Sequence, residues 1–253
     1  MKTPSLLDSM LPAPRNGGFQ MDGYWVWCPS IVKGGDGRYH MFASRWPKSL
    51  PMHPGWLLAS EVVRAVSDRA EGPYVFQEVV LPERGAQYWD GRMTHNPRIH
   101  FHDGKYILFH IGTTHPFPDL DPGETPLLTG PRVIVARSNK RIGLAVSDSV
   151  FGPWKRFDEP ILEPRPGGFD NFLVSNHSPV FREDGSVLMM YKARGYKSKA
   201  EGYGNNEMTI GIAEAPGPFG PFRALTSEPL FSAKRFAVVE DPFLWREGPT
   251  YHM

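Results

Sequence analysis

The stretch CPSIVKGGDGRYHMFASRW (residues 28–46) predicts a β-hairpin, and its pattern decides the fold class. A proline opens a short apolar strand, the pair Asp36-Gly37 marks a tight turn, and an aromatic-rich strand follows. Asp-Gly between apolar runs is a strong hairpin signal, because both residues tolerate the positive φ angles of a tight turn. The same order of features recurs in NPRIHFHDGKYILFHIG (96–112), in HSPVFREDGSVLMMYKARG (177–195) and, incompletely, in EDPFLWREGPTYHM (240–253).

A second type of segment follows each of the first three hairpins. It reads as a strand, a loop and a Gly-Pro-aromatic start of another strand, in VVRAVSDRAEGPYVF (62–76), RIGLAVSDSVFGPWKRF (141–157) and TIGIAEAPGPFGPFRAL (209–225). The two segment types alternate strictly, so each full unit holds four short antiparallel strands. No 3.6-residue apolar period is sustained, and we therefore expect no amphipathic helices.

Tandem four-stranded units are typical of a β-propeller. A β-sandwich would also contain short strands and turns, but it would not explain two motifs that recur in fixed order. We predict an all-β fold with a single propeller domain over residues 1–253, in which residues 1–20 form an N-terminal extension and the fourth unit is incomplete. An incomplete ring exposes strand edges, so we expect a truncated chain or a homo-oligomer that covers the open edge.

Composition excludes several classes of function. The chain has 28 Lys and Arg against 27 Asp and Glu, for a net charge of +1, so neither a nucleic acid nor a membrane is an expected partner. No apolar stretch is long enough to span a bilayer. The first 18 residues lack the apolar core of a secretion signal, and we expect a cytoplasmic protein or one whose compartment the sequence does not reveal. The one cysteine, Cys28, excludes an intrachain disulfide.

In a propeller the first strand of each unit lines a central channel. The residues just before each repeat's proline should then lie at the channel mouth, where converging polar groups suggest a binding site. We take these equivalent positions to be Cys28, Asn96, His177 or Ser178, and Asp241.

With these features the sequence resembles the five-bladed β-propeller glycoside hydrolases, the superfamily of families 43, 62, 32, 68 and 117. The resemblance rests on the Pro–strand–Asp-Gly–strand units, the Gly-Pro-aromatic segments and the Glu-x-Pro at residues 240–242. It implies a five-bladed propeller of which about three and a half blades are present. It also implies an enzyme, without a cofactor, that hydrolyses glycosidic bonds in plant or algal oligosaccharides or polysaccharides through carboxylate acid/base catalysis.

The resemblance makes Glu240 the expected general acid, which needs a raised pKa to stay protonated near neutral pH. We expect burial beside Val238, Val239 and Phe243 to raise it. Two positions depart from the family pattern, because Cys28 stands where family 43 has an aspartate base and Arg98 stands where a second acid usually follows the proline.

Nearby groups are candidates for the remaining roles. Asp90 or Asp170, each in an aromatic, Gly-rich approach to an inner strand, is the expected base or tuning carboxylate. His95 and His177 are taken to occupy matching places, and His177 is a possible second acid, because family 117 has been linked to a histidine acid. We expect the substrate to be bound by Asp241, His95, Asn96, Asn176, Arg45, Trp46, Trp27 and Lys192, and the segment 205–207 to reach the site.

Two other readings remain open. A non-catalytic carbohydrate-binding propeller is favoured by Cys28 and Arg98 at the two departing positions, and a protein-interaction scaffold is the third possibility. No metal is expected, because the pair in HFH (100–102) has no third ligand at helpful spacing.

Overall fold

The computed structural model describes residues 10–121, 123–196, 208–236 and 239–253, and the side chain of Lys234 is not described. It contains three antiparallel sheets, two of four strands and one of five, and a final hairpin. The first sheet comprises β1 (Tyr24–Lys33), β2 (Tyr39–Pro47), β3 (Glu61–Ser67) and β4 (Val75–Leu81). The second comprises β5 (Met93–His102), β6 (Lys105–Thr113), β7 (Arg141–Ser147) and β8 (Lys155–Arg156). The third comprises β9 (Leu173–Phe181), β10 (Val187–Arg194), β11 (Thr209–Ala215) and β12 (Arg223–Ala224), with β13 (Phe231–Ser232) also paired to β11. The hairpin is β14 (Trp245–Glu247) and β15 (Thr250–His252).

This architecture confirms the predicted all-β propeller units, three complete and one partial. The Asp-Gly pairs lie in the turns between first and second strands, and Gly37, Gly104 and Gly185 adopt the positive φ that these turns require. The Gly-Pro pairs at 72–73, 152–153 and 220–221 each precede the fourth strand of their sheet, and all three peptide bonds are cis.

The structure also contains short helices, which the sequence pattern did not indicate. Two eight-residue helices connect the second strand to the third, α1 (Met52–Ala59) in the first sheet and α2 (Pro131–Ser138) in the second. A four-residue helix, α3 (Ala233–Phe236), follows β13. Helices this short cover about two turns, so an apolar period has no room to show in the sequence. In addition, His53 and Pro54 interrupt α1 with non-helical backbone angles.

The core lies between successive sheets. The second strands β2, β6 and β10 are buried almost throughout. Each has a neighbouring strand on both sides, in a sheet that is packed on both faces. Phe42 and Leu108 join the first sheet to the second, while Phe109 and Tyr191 join the second to the third. Each such side chain contributes roughly 1.5–3 kcal/mol through burial.

The first strands of the sheets contact one another, β1 against β5 and β5 against β9, which places them at the centre of the fold. Each of the three breaks register with its second strand at the same point, a β-bulge. The bulge residue has positive φ in every case, at Cys28 (52°), Asn96 (49°) and Asn176 (39°). Asp241, ahead of β14, repeats this conformation with φ 48°. These bulges position the candidate site.

Candidate functional site

A cavity of about 220 Å³ lies where the bulges of the first strands meet. Three groups of residues form its wall: those at or beside the positions of positive φ, two on second strands, and three from α1. They are Trp27, Cys28, His95, Asn96, Asn176, Glu240 and Asp241; Trp46 and Lys192; and Met52, His53 and Trp56. Eight of the twelve residues expected at the site therefore line this one cavity.

The bulge explains why neighbours in sequence share the cavity. Consecutive side chains of a regular strand point to opposite faces. A bulge with positive φ re-aims the chain, so that two consecutive residues face the same side. Glu240 and Asp241 form a similar pair ahead of β14, because Asp241 has the same positive φ as the bulge residues. A short polar side chain tolerates positive φ best, which suits Asn96, Asn176 and Asp241.

The bulges also correct one equivalence drawn from the sequence. His95 comes directly before its bulge residue, Asn96, whereas His177 comes directly after its own, Asn176. The two histidines therefore do not occupy matching places, and Asn176 is the counterpart of Asn96. Pro97 and Pro179 look equivalent in the sequence, but the strand register makes His177 the equivalent of Pro97.

Glu240 forms an ion pair with Lys192, and its side chain is 41% exposed. Burial is the largest influence on the pKa of Glu240 and raises it, but Lys192, Lys140 and Arg194 together hold that pKa below its ordinary value. The expectation of a raised pKa is wrong for this arrangement. Its reason is the ammonium group of Lys192, which lies 48 residues earlier in the chain and follows from no local pattern.

Asp241 is held by a chain of hydrogen bonds that begins in the second sheet. Lys140 donates to the hydroxyl of Ser175 (3.3 Å), which donates to the amide oxygen of Asn176 (2.6 Å). This leaves the amide nitrogen of Asn176 to donate to the carboxylate of Asp241. The chain fixes the orientation of the amide and anchors one of the two carboxylates.

His95 and Cys28 are uncharged in this setting. Nδ1 of His95 lies 2.7 Å from Oγ of Ser60, and its Nε2 lies 4.0 Å from Sγ of Cys28. Burial, with Lys140 and Lys192 adding to it, lowers the pKa of His95 to about 3. Burial also raises the pKa of Cys28 to about 12, with Asp241 acting in the same direction, so the thiol keeps its proton.

Aromatic rings cover one side of the cavity. Trp56 stacks on His95 with ring centroids 4.8 Å apart, and Trp46 meets the same ring edge-on at 5.6 Å. Nε1 of Trp56 donates to Nδ1 of His53 (2.9 Å). Trp27 is half exposed at the opening. Apolar walls with a few placed polar groups are typical of small-molecule sites.

Asp90 and Asp170 lie away from the cavity, wholly buried at equivalent points of the second and third sheets. Asp90 accepts a hydrogen bond from Arg84 (2.6 Å) and lies 3.1 Å from Nε2 of His110. Asp170 accepts from Arg165 (2.9 Å) and from the hydroxyl of Tyr191 (2.9 Å). Each aspartate thus ties the approach to a sheet to that sheet's second strand.

Two other residues expected at the site also lie elsewhere. His177 is 1% exposed and packs against Phe109; burial, with Arg98 next in effect, lowers its pKa well below the ordinary value, so its imidazole carries no acidic proton at neutral pH. Arg45 pairs with Glu61 (2.8 Å), and its guanidinium stacks on aromatic rings of the first sheet.

The residues that sequence reasoning missed come from helix connections. Met52, His53 and Trp56 reach the cavity from α1, and Lys140 approaches it from two residues after the end of α2. The only sequence signal was that the connection 48–60 is too long for a tight turn and contains a tryptophan. The expected segment 205–207 lies outside the described residues.

Within the described part of the chain, no group of three or more His, Cys, Asp or Glu residues could hold a metal ion. Among the same residues, no helix has the length and apolar character needed to cross a membrane.

None of the protein-family models matches the sequence, and no curated protein does either. Solved structures do match. One is a family 117 glycoside hydrolase from Zobellia galactanivorans, at a TM-score of 0.65 and 19% identity over 87% of this chain and 62% of that one. Another is a family 43 β-xylosidase/α-arabinofuranosidase from a compost metagenome, with a TM-score of 0.60 and 15% identity over 95% of this chain and 73% of that one. A GH43_1 enzyme from Xanthomonas citri matches with a TM-score of 0.55 and 15% identity over 91% of this chain and 66% of that one.

The chain spans 62% of the length of the first of these enzymes and 66% of the length of the third. At such identities the likeness concerns the fold. The chain has the fold of the five-bladed β-propeller glycoside hydrolases.

Proposed function

We propose that the chain is a glycoside hydrolase that binds a sugar in the central cavity and cleaves its glycosidic bond there. One observation carries the proposal: two consecutive carboxylates, Glu240 and Asp241, line a cavity that is also walled by three tryptophans. Two carboxylates are what most glycosidases use across an oxocarbenium-like transition state. The shared fold supports the same conclusion, and the proposed substrates are plant or algal oligosaccharides or polysaccharides.

Glu240 is the proposed proton donor to the leaving glycosidic oxygen. Burial raises its pKa, and the ion pair with Lys192 is the main opposing influence. A substrate group that binds the ammonium of Lys192 weakens this pair. The pKa of Glu240 then moves upward, in the direction that general acid catalysis requires.

Asp241 is the proposed second carboxylate. Asn176 donates a hydrogen bond to it, so the position of Asp241 does not depend on the ion pair between Glu240 and Lys192. Asp241 acts as a base that activates water or as the nucleophile that attacks the anomeric carbon. The separation of the two carboxylates during catalysis decides between inversion and retention.

The test compares Glu240→Gln with the wild type on two kinds of substrate, aryl glycosides with a good leaving group and natural oligosaccharides of xylan, arabinan and agar. Loss of a general acid should cost about 10²–10⁴-fold on the oligosaccharides, and much less where the leaving group needs no proton. Glu214→Gln is a matched control, because Glu214 is 43% exposed and pairs with Arg182 far from the cavity. Equal losses on both substrates would contradict the donor role, and full activity would contradict any role.

A second candidate is a sugar-binding propeller without catalysis. The observation in its favour is Cys28, a protonated thiol where the family resemblance implies an aspartate base. It predicts that the wild type binds oligosaccharides and cleaves none of them, and that Glu240→Gln changes affinity only.

A further inference from the structure

The side of the cavity next to Glu240 carries an excess of positive charge. Arg137 of α2, Lys140 just after it, and Lys192 and Arg194 of β10 lie close enough for electrostatic interaction with one another. Glu240 is the carboxylate that acts on Lys140 and Arg194, and Asp241 lines the same cavity. Even without Arg194, the three cations Arg137, Lys140 and Lys192 outnumber these two carboxylates of the described cavity.

Lys140 is the most telling member. It is 3% exposed, and among the described residues its ammonium contacts neutral groups, the hydroxyl of Ser175 at 3.3 Å and the ring face of Trp56 at 5.1 Å. Neither Lys140 nor Arg137 has an ion pair with any residue the structure describes. A buried cation without a carboxylate partner is costly to maintain. Burial and the neighbouring cations accordingly hold the pKa of Lys140 well below its ordinary value.

This charge faces the proposed sugar site. Lys192 lines the cavity directly, and Trp56, which lies under the ammonium of Lys140, forms part of the same wall. A ligand with a negative group near Lys192 would offset the buried charge of the whole cluster, whereas a neutral ligand would leave it uncompensated.

We propose that the sugar bound in this cavity is acidic, and that its carboxylate or sulfate pairs with Lys192 within the field of Arg137, Lys140 and Arg194. The inference rests on the proposed function, because it names the substrate class of the same cavity. The acidic group of the sugar would bind Lys192 and weaken its ion pair with Glu240. Binding of an acidic sugar would thus raise the pKa of the proposed proton donor.

Calorimetric titration of the full chain tests this with four probes: trigalacturonate, its methyl ester, galactotriose and a 6-sulfated galactotriose. The methyl ester has the shape of the acid without its charge. We expect trigalacturonate or the sulfated sugar to bind at least about tenfold more tightly than its neutral counterpart. This difference in affinity should decrease as the salt concentration is raised. Comparing the two acidic probes distinguishes a carboxylate from a sulfate.

Arg137→Gln should reduce the affinity for the preferred acidic probe several-fold and leave that for the neutral sugars unchanged. Arg132→Gln is the matched control, since Arg132 lies on the same helix but pairs with Glu124 and lines a different cavity. Thermal unfolding of both variants checks that they fold, and the salt dependence of the wild type is independent of any variant.

The inference is overturned if neutral and acidic sugars bind equally, if none binds, or if Arg137→Gln weakens both classes alike. Its failure is distinct from failure of the proposed function. Preferential binding of an acidic sugar without cleavage contradicts hydrolysis and leaves the acidic preference standing. Cleavage of neutral oligosaccharides as readily as acidic ones supports hydrolysis and contradicts the preference.

Discussion

Glu240 and Lys192 form an ion pair at the cavity that connects the segment ahead of β14 with the second strand of the third sheet. This contact is the largest of the influences that lower the pKa of the proposed proton donor. It also joins the last, partial unit to the sheet before it.

Removing the ammonium should therefore raise the pKa of Glu240. In Lys192→Met, burial acts on Glu240 with only Lys140 and Arg194 in opposition, so the pKa moves upward from its present lowered value. The measurement is an NMR titration of the Glu240 carboxyl, assigned with Glu240→Gln. An unchanged or lower pKa in Lys192→Met would contradict the proposed role of the ion pair.

The same pair predicts a pH dependence of stability. The pKa of Glu240 is lower in the folded chain than its ordinary value of 4.5, so the pair stabilises the fold above that pH and is lost as pH falls through the folded value. Between pH 6 and pH 3, Lys192→Met should lose less unfolding free energy than the wild type. Because Glu240 is 41% exposed, solvent screening keeps the difference small.

Asp90 and Asp170 should matter for stability. Replacing either by Asn removes a wholly buried partner from an arginine and should cost about 3–5 kcal/mol of unfolding free energy, because a buried charge loses its pair. Denaturant unfolding measures this. Asp68→Asn is the control, since Asp68 is 82% exposed in its pair with Arg38 and should change stability by about 0.5 kcal/mol at most. A small cost at both buried sites would contradict their structural role.

Cys28 should be chemically inert in the folded chain. Its pKa rises from 9.0 to about 12, so at pH 8 the thiolate fraction falls by roughly 10³-fold, and alkylation should slow accordingly. The chain has one cysteine, so labelling by iodoacetamide reports on it alone. Equal labelling rates in native protein and in urea would show that the thiol is not held in this way.

The bulge can be tested at Asn96. Its backbone has φ 49°, so Asn96→Ala should destabilise the fold by about 1–2 kcal/mol relative to Asn96→Gly, which has no Cβ to clash. The backbone N–H of Asn96 keeps its hydrogen bond to Ser44 in both variants. The comparison thus isolates the conformation, and equal stability of the two would argue against a strained bulge.

The sequence predicts the repeat well because its signals are local. Asp36-Gly37 and the Gly-Pro pairs act within a few residues, and their order survives without any knowledge of long-range contacts. The location of the bulges is harder to predict, because in the third sheet Pro179 comes two residues later than its apparent counterparts, and only strand register reveals this.

Side-chain pairing is beyond the reach of such signals. Whether an aspartate lies in the cavity or in the core depends on partners from other elements, as Arg84 and His110 are for Asp90. The lowered pKa of Glu240 has the same origin, since Lys192 is adjacent only after the sheets assemble. Consecutive acidic residues before a proline, in contrast, are visible in the sequence itself and do line the cavity.

The bulges have a consequence for how such a site diversifies. At Trp27-Cys28, His95-Asn96 and Glu240-Asp241 the chain presents two consecutive side chains to the cavity. New chemistry can therefore arise by exchange of dipeptides, without repacking of the sheets. The second residue of each pair has positive φ, which Gly, Asn and Asp adopt at low cost, and Cys28 is the exception.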